Sequence, residues 1–181
     1  MQRGFDLTMS KNELVIRLCE PNDTPQIVPM IQAQVAASGR AAPDPDALND
    51  LVHALLISQF SDFLLADMNG RTVGVLQINY RLSTWEVAPY AVIEDFYLVA
   101  EARGKGVGTR MLDYACARAE GRGSRFIQAA VRPSDQAARR LYEAFGFTTT
   151  QQSLWRSDLP LGCGVAFDQP EANNTETRVE S

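Results

Sequence analysis

The stretch that decides the fold is EDFYLVAEARGKGVGTRMLDYACARA, residues 94–119. It begins as a strand-like run with two acids, passes through a loop with three glycines, and then takes on the pattern of a helix. Three glycines within five positions are unfavourable for folding, because glycine loses more backbone freedom than any other residue. Such a loop presents free backbone N–H groups at the positive end of a helix, where anions bind. The pattern therefore predicts a pyrophosphate site.

Two common nucleotide-binding motifs do not fit this loop. Gly104, Gly106 and Gly108 follow the spacing GxGxG, whereas the dinucleotide fingerprint requires GxGxxG and a later acidic partner for the ribose. The sequence also lacks GxxxxGK[ST], which excludes a Walker loop. On the loop alone, a glycine-rich turn without a ligand is the alternative interpretation.

Hydrophobic periodicity and turn signals predict further strands and helices. Asn69 and Gly70 separate two β-like runs, and Asn-Gly is the strongest short signal of a hairpin. The predicted strands are 14–19, two arms of a hairpin within 62–83, 91–100, 125–131 and one strand or a tight pair within 148–159. The predicted helices lie within 26–39, 42–58, 108–123 and 134–147, where the third ends at Gly121 or Gly123 and Gly146 stops the fourth. These elements indicate an α+β fold in which helices and a sheet form layers.

Length and composition indicate one folded domain, which we place at residues 1–168. Residues 1–12 are expected to form a flexible leader, and the polar residues 169–181 a disordered tail. The net charge is −5 and no basic block is present, so nucleic acid is not an expected partner.

The cysteines and the apolar stretches indicate the cellular compartment in which the protein is expected. Cys19, Cys116 and Cys163 are widely spaced and lack a CxxC pattern, which argues against a disulfide framework and against a metal site. A reducing cytoplasm fits this pattern best. No apolar stretch has the length of a signal-peptide core or of a membrane span, so we expect no membrane association.

A second block follows the glycine loop and decides the family. Asp135, Ala138, Leu141 and Tyr142 form the pattern D-x-x-A-x-x-L-Y, followed by Gly-Phe at 146–147. Together the two blocks resemble the GNAT superfamily of N-acetyltransferases, whose signatures are Arg/Gln-x-x-Gly-x-Gly/Ala and Asn-x-x-Ala-x-x-Leu-Tyr before Gly-Phe. Arg103, Gly106 and Gly108 match the three positions of the first signature. Asp135 stands where asparagine is usual.

The resemblance implies a mixed, mostly antiparallel sheet that splays between strands 4 and 5, has helices on both faces, and holds acetyl-CoA in the opening. Main-chain groups of Leu98 and Val99 would pair with the pantetheine arm. The residues whose amides would hold the pyrophosphate are Arg103, Gly104, Lys105, Gly106, Val107, Gly108 and Thr109. Asp135 and Ala138 would lie near the cofactor arm. The Asp135 carboxylate accepts hydrogen bonds but cannot donate one, as the amide of asparagine does. The alternative role of Asp135 is the N-cap of the following helix.

Direct acetyl transfer to an amine needs a base and an acid. A lysine-like amine has a pKa of about 10.4 and must lose a proton before it attacks, while the CoA thiolate gains from a proton donor as it leaves. The resemblance assigns the acid to Tyr142, whose alternative role is a packed aromatic of the helix.

For the base we expect Glu94, because it interrupts an otherwise apolar strand. Regular alternation would place Glu94, Phe96 and Leu98 on one face and Asp95 and Tyr97 on the other, so that only one acid enters the acceptor cleft. The run also resembles the polyamine-acetylating branch, in which the first acid is the base. Asp95 and a water relay are alternatives. In the non-catalytic interpretation, one acid caps or salt-bridges a neighbour and the other is solvated at the start of the strand.

The function that we expect is transfer of an acetyl group from acetyl-CoA to a primary amine of a small molecule, without a covalent enzyme intermediate. A non-catalytic acyl-CoA-binding module and an acetyltransferase for protein N-termini or lysines are the alternatives. No sequence motif identifies the acceptor molecule, and family resemblance does not identify it either. Homodimers are common among similar proteins, so a homodimer is compatible with the sequence, although it contains no interface signal.

Overall fold

The structure is a computed structural model that describes residues 13–150. Its strands are β1 (Leu14–Leu18), β2 (Ser61–Met68), β3 (Arg71–Ser83), β4 (Ala88–Leu98) and β5 (Ile127–Ala129). Its helices are α1 (Thr24–Ala37), α2 (Pro45–Leu56), α3 (Val107–Gly121) and α4 (Gln136–Ala144), with 3₁₀ turns at Pro21–Asp23 and Ala100–Ala102. The predictions for the leader 1–12, for strand residues beyond 150 and for the tail 169–181 lie outside the described residues.

The described strands form one sheet in the order β1-β2-β3-β4-β5. Strands β1 to β4 are antiparallel to their neighbours, and β4 and β5 are parallel. The β4–β5 pairing extends only from Ala91–Ile127 to Ile93–Ala129, whereas β4 continues to Leu98. Beyond Ile93, β4 therefore continues without β5 as a neighbour, and the expected α+β fold with an open, mostly antiparallel sheet is confirmed.

Local turn chemistry fixes the central hairpin and the helix ends. Asn69 and Gly70 have φ values of +54° and +76°, as the predicted Asn-Gly turn between β2 and β3 requires. Gly123 and Gly146 have φ values of +75° and +83° and follow the last residues of α3 and α4. These glycines stop both helices at the positions that the sequence indicated.

A β-bulge interrupts β4 where its two acids lie. The β3–β4 register shifts by one residue at Gln77, which faces both Glu94 and Asp95. An extra residue in one strand breaks the regular alternation of side chains. The alternation that was expected across Glu94 and Asp95 therefore does not hold.

Helices cover both faces of the sheet. One buried cluster joins α1 and α2 to residues of β2 and β3 such as Phe63, Leu65 and Val75. The other joins α3 and α4 to the opposite face, where Leu76 and Ile78 are fully buried. No helix within residues 13–150 is long and apolar enough to span a membrane.

Candidate active site

The glycine loop lies between the end of β4 and the start of α3. Gly104 and Gly106 have φ values of +70° and +78°, in the left-handed region that residues with a Cβ rarely adopt. Gly106 is also the N-cap residue of α3. A Cβ added at either position would meet no atom within 4 Å, so the conformation and not crowding requires glycine here.

The first turn of α3 leaves backbone amides available. Arg110 N–H donates to Gly106 O across 3.1 Å, which closes the first turn of the helix. The N–H groups of residues 104–109 have no acceptor within 13–150, and no side chain caps the helix. Lys105 and Thr109 are exposed beside these amides. Free amides at a positive helix end fit a phosphate or pyrophosphate group.

The last residues of β4, after Ile93, have main-chain groups that do not pair with β5. Val99 N–H donates to Val73 O across 3.0 Å, which fixes the direction of hydrogen bonding at this point. Because the direction alternates along a strand, Phe96 and Leu98 turn their N–H and C=O groups away from β3 and toward the opening. Leu98 O accepts a hydrogen bond from Arg103 Nε at 3.0 Å.

Val99, which the sequence analysis placed beside the pantetheine arm, has both main-chain groups engaged. Its N–H bonds to Val73 O, and its carbonyl accepts from Ala102 N at 3.0 Å. Val99 therefore offers no free main-chain donor at the opening. Phe96 offers one instead. The two-residue period of the strand was visible in the sequence, but its register against β3 was not.

The loop, β4 and α3 are held together by close contacts. The Arg103 guanidinium lies 5.7 Å from the centre of the Tyr97 ring while its Nε bonds to Leu98. A Cβ on Gly108 would lie 3.4 Å from methyl carbons of both Leu98 and Leu141. At position 108, α3 therefore lies within van der Waals reach of both β4 and α4.

Tyr142 lies on α4, within the buried cluster on the α3–α4 face of the sheet. Its side chain is 8% exposed, and its ring packs against Phe147 with centroids 5.0 Å apart. No residue in the described range hydrogen bonds to its hydroxyl. Burial raises the pKa of the phenol well above its usual value, and Asp135 and Cys116 add to this shift. The phenol therefore keeps its proton at neutral pH.

Asp135 caps α4. Its Oδ1 accepts a hydrogen bond from Ala138 N at 3.0 Å, as an N-cap aspartate does. This observation favours the capping role that the sequence analysis gave as the alternative for Asp135. It also engages the Ala138 N–H, which is thereby removed from the set of free donors.

The two acids of the β4 bulge have different surroundings. Glu94 has a side chain that is 40% exposed and forms an ion pair with Arg81, with 2.9 Å between Oε1 and the guanidinium. Asp95 is more buried and accepts a hydrogen bond from Gln34 of α1 at 3.1 Å. Burial raises the pKa of Asp95, the charge of Glu94 adds to the rise, and the bond from Gln34 opposes it.

Metal-ligating residues are not grouped in the described part of the chain. Within residues 13–150, no three His, Cys, Asp or Glu side chains lie close enough together to hold a metal ion. The groups of the candidate site are the main-chain amides of residues 104–109, the buried phenol of Tyr142, and the carboxyl groups of Glu94 and Asp95.

Comparison with known families identifies this arrangement. The family model described as the acetyltransferase (GNAT) family matches residues 30–147, a range that includes the glycine loop, both acids and Tyr142. The chain belongs to the GNAT acetyltransferase family. GNAT enzymes use acetyl-CoA as the acetyl donor, so the family and the enzyme class expected from the sequence are confirmed.

Individual relatives of this GNAT chain are distant. The uncharacterized N-acetyltransferase YhfO of Bacillus subtilis (strain 168) is 28% identical over 73% of this chain and 88% of its own. The type 1 aminoglycoside N(6')-acetyltransferase of Stenotrophomonas maltophilia is 27% identical over 61% of this chain and 74% of its own. An aminoglycoside acetyltransferase from an uncultured soil metagenomic sample, solved with sisomicin, shares the fold at 18% identity. Its TM-score is 0.68, and the match covers 80% of this chain and 95% of that one.

Within this GNAT domain, the predicted residues fall on two faces of the sheet. Tyr142 belongs to the cluster with α3 and α4, whereas Asp95 contacts α1 on the other face. The sequence does not indicate the contact of Gln34 with Asp95, because one glutamine in a helix carries no motif. Only its contact with a residue 61 positions away identifies it.

Proposed function

We propose that the protein transfers the acetyl group of acetyl-CoA directly to a primary amine of a small cationic molecule. The observation that carries the proposal is the opening beyond Ile93, where β4 lacks β5 as a partner and leads into a loop of free amides. An extended amide-containing arm can pair with such a strand edge, while its pyrophosphate meets the helix end.

The donor half of this proposal uses the main chain. The N–H groups of residues 104–109 would hold the pyrophosphate of CoA, with Lys105 close enough to add positive charge. The groups of Phe96 and Leu98 that face the opening would pair with the pantetheine amides. Arg103 would then exchange its bond to Leu98 O for a contact with the cofactor.

Tyr142 supplies the proton that the leaving thiolate takes. Its phenol is buried, keeps its proton at neutral pH, and has no hydrogen-bond partner within residues 13–150. The other half of the chemistry, removal of a proton from the acceptor ammonium, falls to the carboxyl groups of the β4 bulge, Glu94 or Asp95.

A cationic small-molecule acceptor fits the charge of the site and the relatives. The two carboxyl groups lie side by side in the bulge, and the whole chain carries a net charge of −5. One relative is an aminoglycoside N(6')-acetyltransferase, and a protein of the same fold was solved with sisomicin. Aminoglycosides and polyamines are therefore the first acceptors to test.

The test is release of free CoA thiol from acetyl-CoA in the presence of spermidine, kanamycin, free lysine, or a peptide with an unblocked N-terminus. We expect turnover with at least one of the two polycations and little with the peptide. Turnover with the peptide alone would replace the proposal with a protein acetyltransferase. Calorimetric binding of CoA without turnover of any amine would replace it with a non-catalytic acyl-CoA-binding module.

A further inference from the structure

Asp95 and Gln34 form a pair that joins β4 to helix α1. Gln34 Nε2 donates to Asp95 Oδ1, while Gln34 Oε1 is buried and has no hydrogen-bond partner within residues 13–150. A buried amide oxygen without a donor is unfavourable, and such an oxygen points to a ligand that supplies the donor. An ammonium group carries three donors and no acceptor, so it complements this oxygen and the adjacent carboxylate.

The charges around Asp95 favour its role as a proton acceptor. Helix α1, which packs against it, contains no ionisable residue between Thr24 and Ala37. From β3, the nearby cation is Arg81, and its guanidinium is bound to Glu94. Asp95 therefore has no ion-pair partner in the described chain, and it lies beside the negative charge of Glu94. A buried carboxyl group with these neighbours holds a proton closer to neutral pH, as a general base must.

We propose that Asp95 accepts the proton of the acceptor amine and that Gln34 is a positioning residue, whose Oε1 accepts a second N–H of the same amine. This inference rests on the proposed acetyltransferase function. It replaces Glu94 as the base, because the Glu94 carboxylate is more exposed and is already engaged by Arg81. Glu94 then acts only through its charge.

The protons and bonds balance with these two residues. The ammonium gives one proton to the Asp95 carboxylate, which later releases it to solvent. The free amine attacks the thioester carbon, so that the C–N bond forms and the C–S bond breaks. Tyr142 protonates the departing sulfur, and the second proton lost by nitrogen returns to the phenolate through solvent. The products are the acetamide, CoA thiol and one proton.

The deciding measurement is the pH dependence of kcat for whichever panel amine turns over fastest, at saturating acetyl-CoA. Wild-type kcat should rise with pH through one ionisation. Asp95→Asn should lower kcat by about 10²- to 10⁴-fold and abolish that rise, since a general base contributes this range. CoA affinity, measured by calorimetry, should stay within twofold of wild type.

Gln34→Leu tests the positioning role. Loss of the bond that opposes protonation should move the rise in kcat to higher pH, and KM for the amine should increase roughly two- to tenfold, as expected for one hydrogen bond. Gln32→Leu is the matched control, because Gln32 lies on the same helix and donates to Pro43 O instead. The pH profile of kcat in this variant should equal that of wild type.

Three results would overturn the inference. Asp95→Asn could keep kcat within threefold, or Glu94→Gln could abolish the rise with pH while Asp95→Asn retains it. If Asp95→Asn fails to fold, a pH profile of kcat in Gln34→Leu that equals the wild-type profile would contradict the proposed roles of Asp95 and Gln34. Failure of the proposed function is distinct from these outcomes, because the wild-type protein would then turn over no amine at all.

Discussion

The two sides of the opening beside β4 are built from different parts of the chain. In the glycine loop of the donor side, the contacts join close neighbours: Arg103 bonds to a carbonyl five residues earlier, and the free amides belong to consecutive residues. On the acceptor side, Asp95 meets Gln34 across 61 residues of sequence. The first side is a local backbone shape and the second is a meeting of distant side chains. Substitutions should therefore affect the two sides in different ways.

The largest effect on the donor side is expected from Tyr142→Phe. This change removes only the hydroxyl that we propose as the proton donor to sulfur, so kcat should fall by about 10²- to 10⁴-fold while the Kd for acetyl-CoA stays close to wild type. Tyr114→Phe on the more exposed face of α3 is the control and should retain full activity. Equal kcat values for the two variants would remove Tyr142 from the mechanism. Steady-state thiol release and calorimetry supply both measurements.

The next largest effect should come from a side chain in the glycine loop. Gly106→Ala forces a Cβ into a φ of +78° and should shift the amides that are proposed to hold the pyrophosphate. The Kd for CoA should rise roughly tenfold or more, since each hydrogen bond to a charged group contributes about 1.5–3 kcal/mol.

Gly123→Ala controls for strain in the Gly106 experiment, because its φ of +75° lies at the other end of the same helix. Both variants should lose about 1–2 kcal/mol of folding free energy, the usual cost of a left-handed conformation for a residue with a Cβ. Only Gly106→Ala should weaken CoA binding in calorimetry. Equal Kd values in the two variants would mean that the loop does not bind the cofactor.

The donor side could be predicted from the sequence because its signals are local. Glycines that need a positive φ, a helix that starts directly after them, and a strand of period two are each visible within a few residues. The splayed sheet followed from the family resemblance, and the stop of α4 before Gly146 followed from turn chemistry. The sequence did not specify which edge of β4 faces β3, so it did not reveal that both main-chain groups of Val99 are engaged within the protein.

The acceptor side could not be predicted, because a bulge and a distant contact decide it. The register shift opposite Gln77 breaks the alternation on which the choice of Glu94 over Asp95 depended. The ion pair of Glu94 with Arg81 and the burial of Asp95 depend on tertiary packing, which no local pattern encodes. The bulge, the ion pair and the burial are the observations on which we propose Asp95 in place of Glu94 as the base.

A smaller effect is expected on the stability of Asp95→Asn, and its pH dependence tests whether Asp95 is buried as a carboxyl group. Burial raises the folded-state pKa of Asp95 above its ordinary value, so the unfolded chain ionises first as the pH rises. Wild type therefore loses stability relative to Asp95→Asn from about pH 4 upward, the ordinary carboxyl value, until the pH exceeds the folded-state pKa. Thermal melts should agree at low pH and diverge toward neutral pH, with Asp95→Asn melting higher. A variant that melts lower at neutral pH would identify Asp95 as a structural residue instead.

The smallest effect is expected from Arg81→Gln, which breaks the ion pair with Glu94. Both side chains are well exposed, at 53% and 40%, so the free energy of unfolding should change by less than about 1 kcal/mol, and less again in high salt. Without its partner, Glu94 would add more negative charge beside Asp95, and the rise of kcat with pH should move slightly upward. An unchanged pH profile in this variant, together with a shifted one in Gln34→Leu, would show that Asp95 responds to its hydrogen bond from α1 and not to the charge of its neighbour.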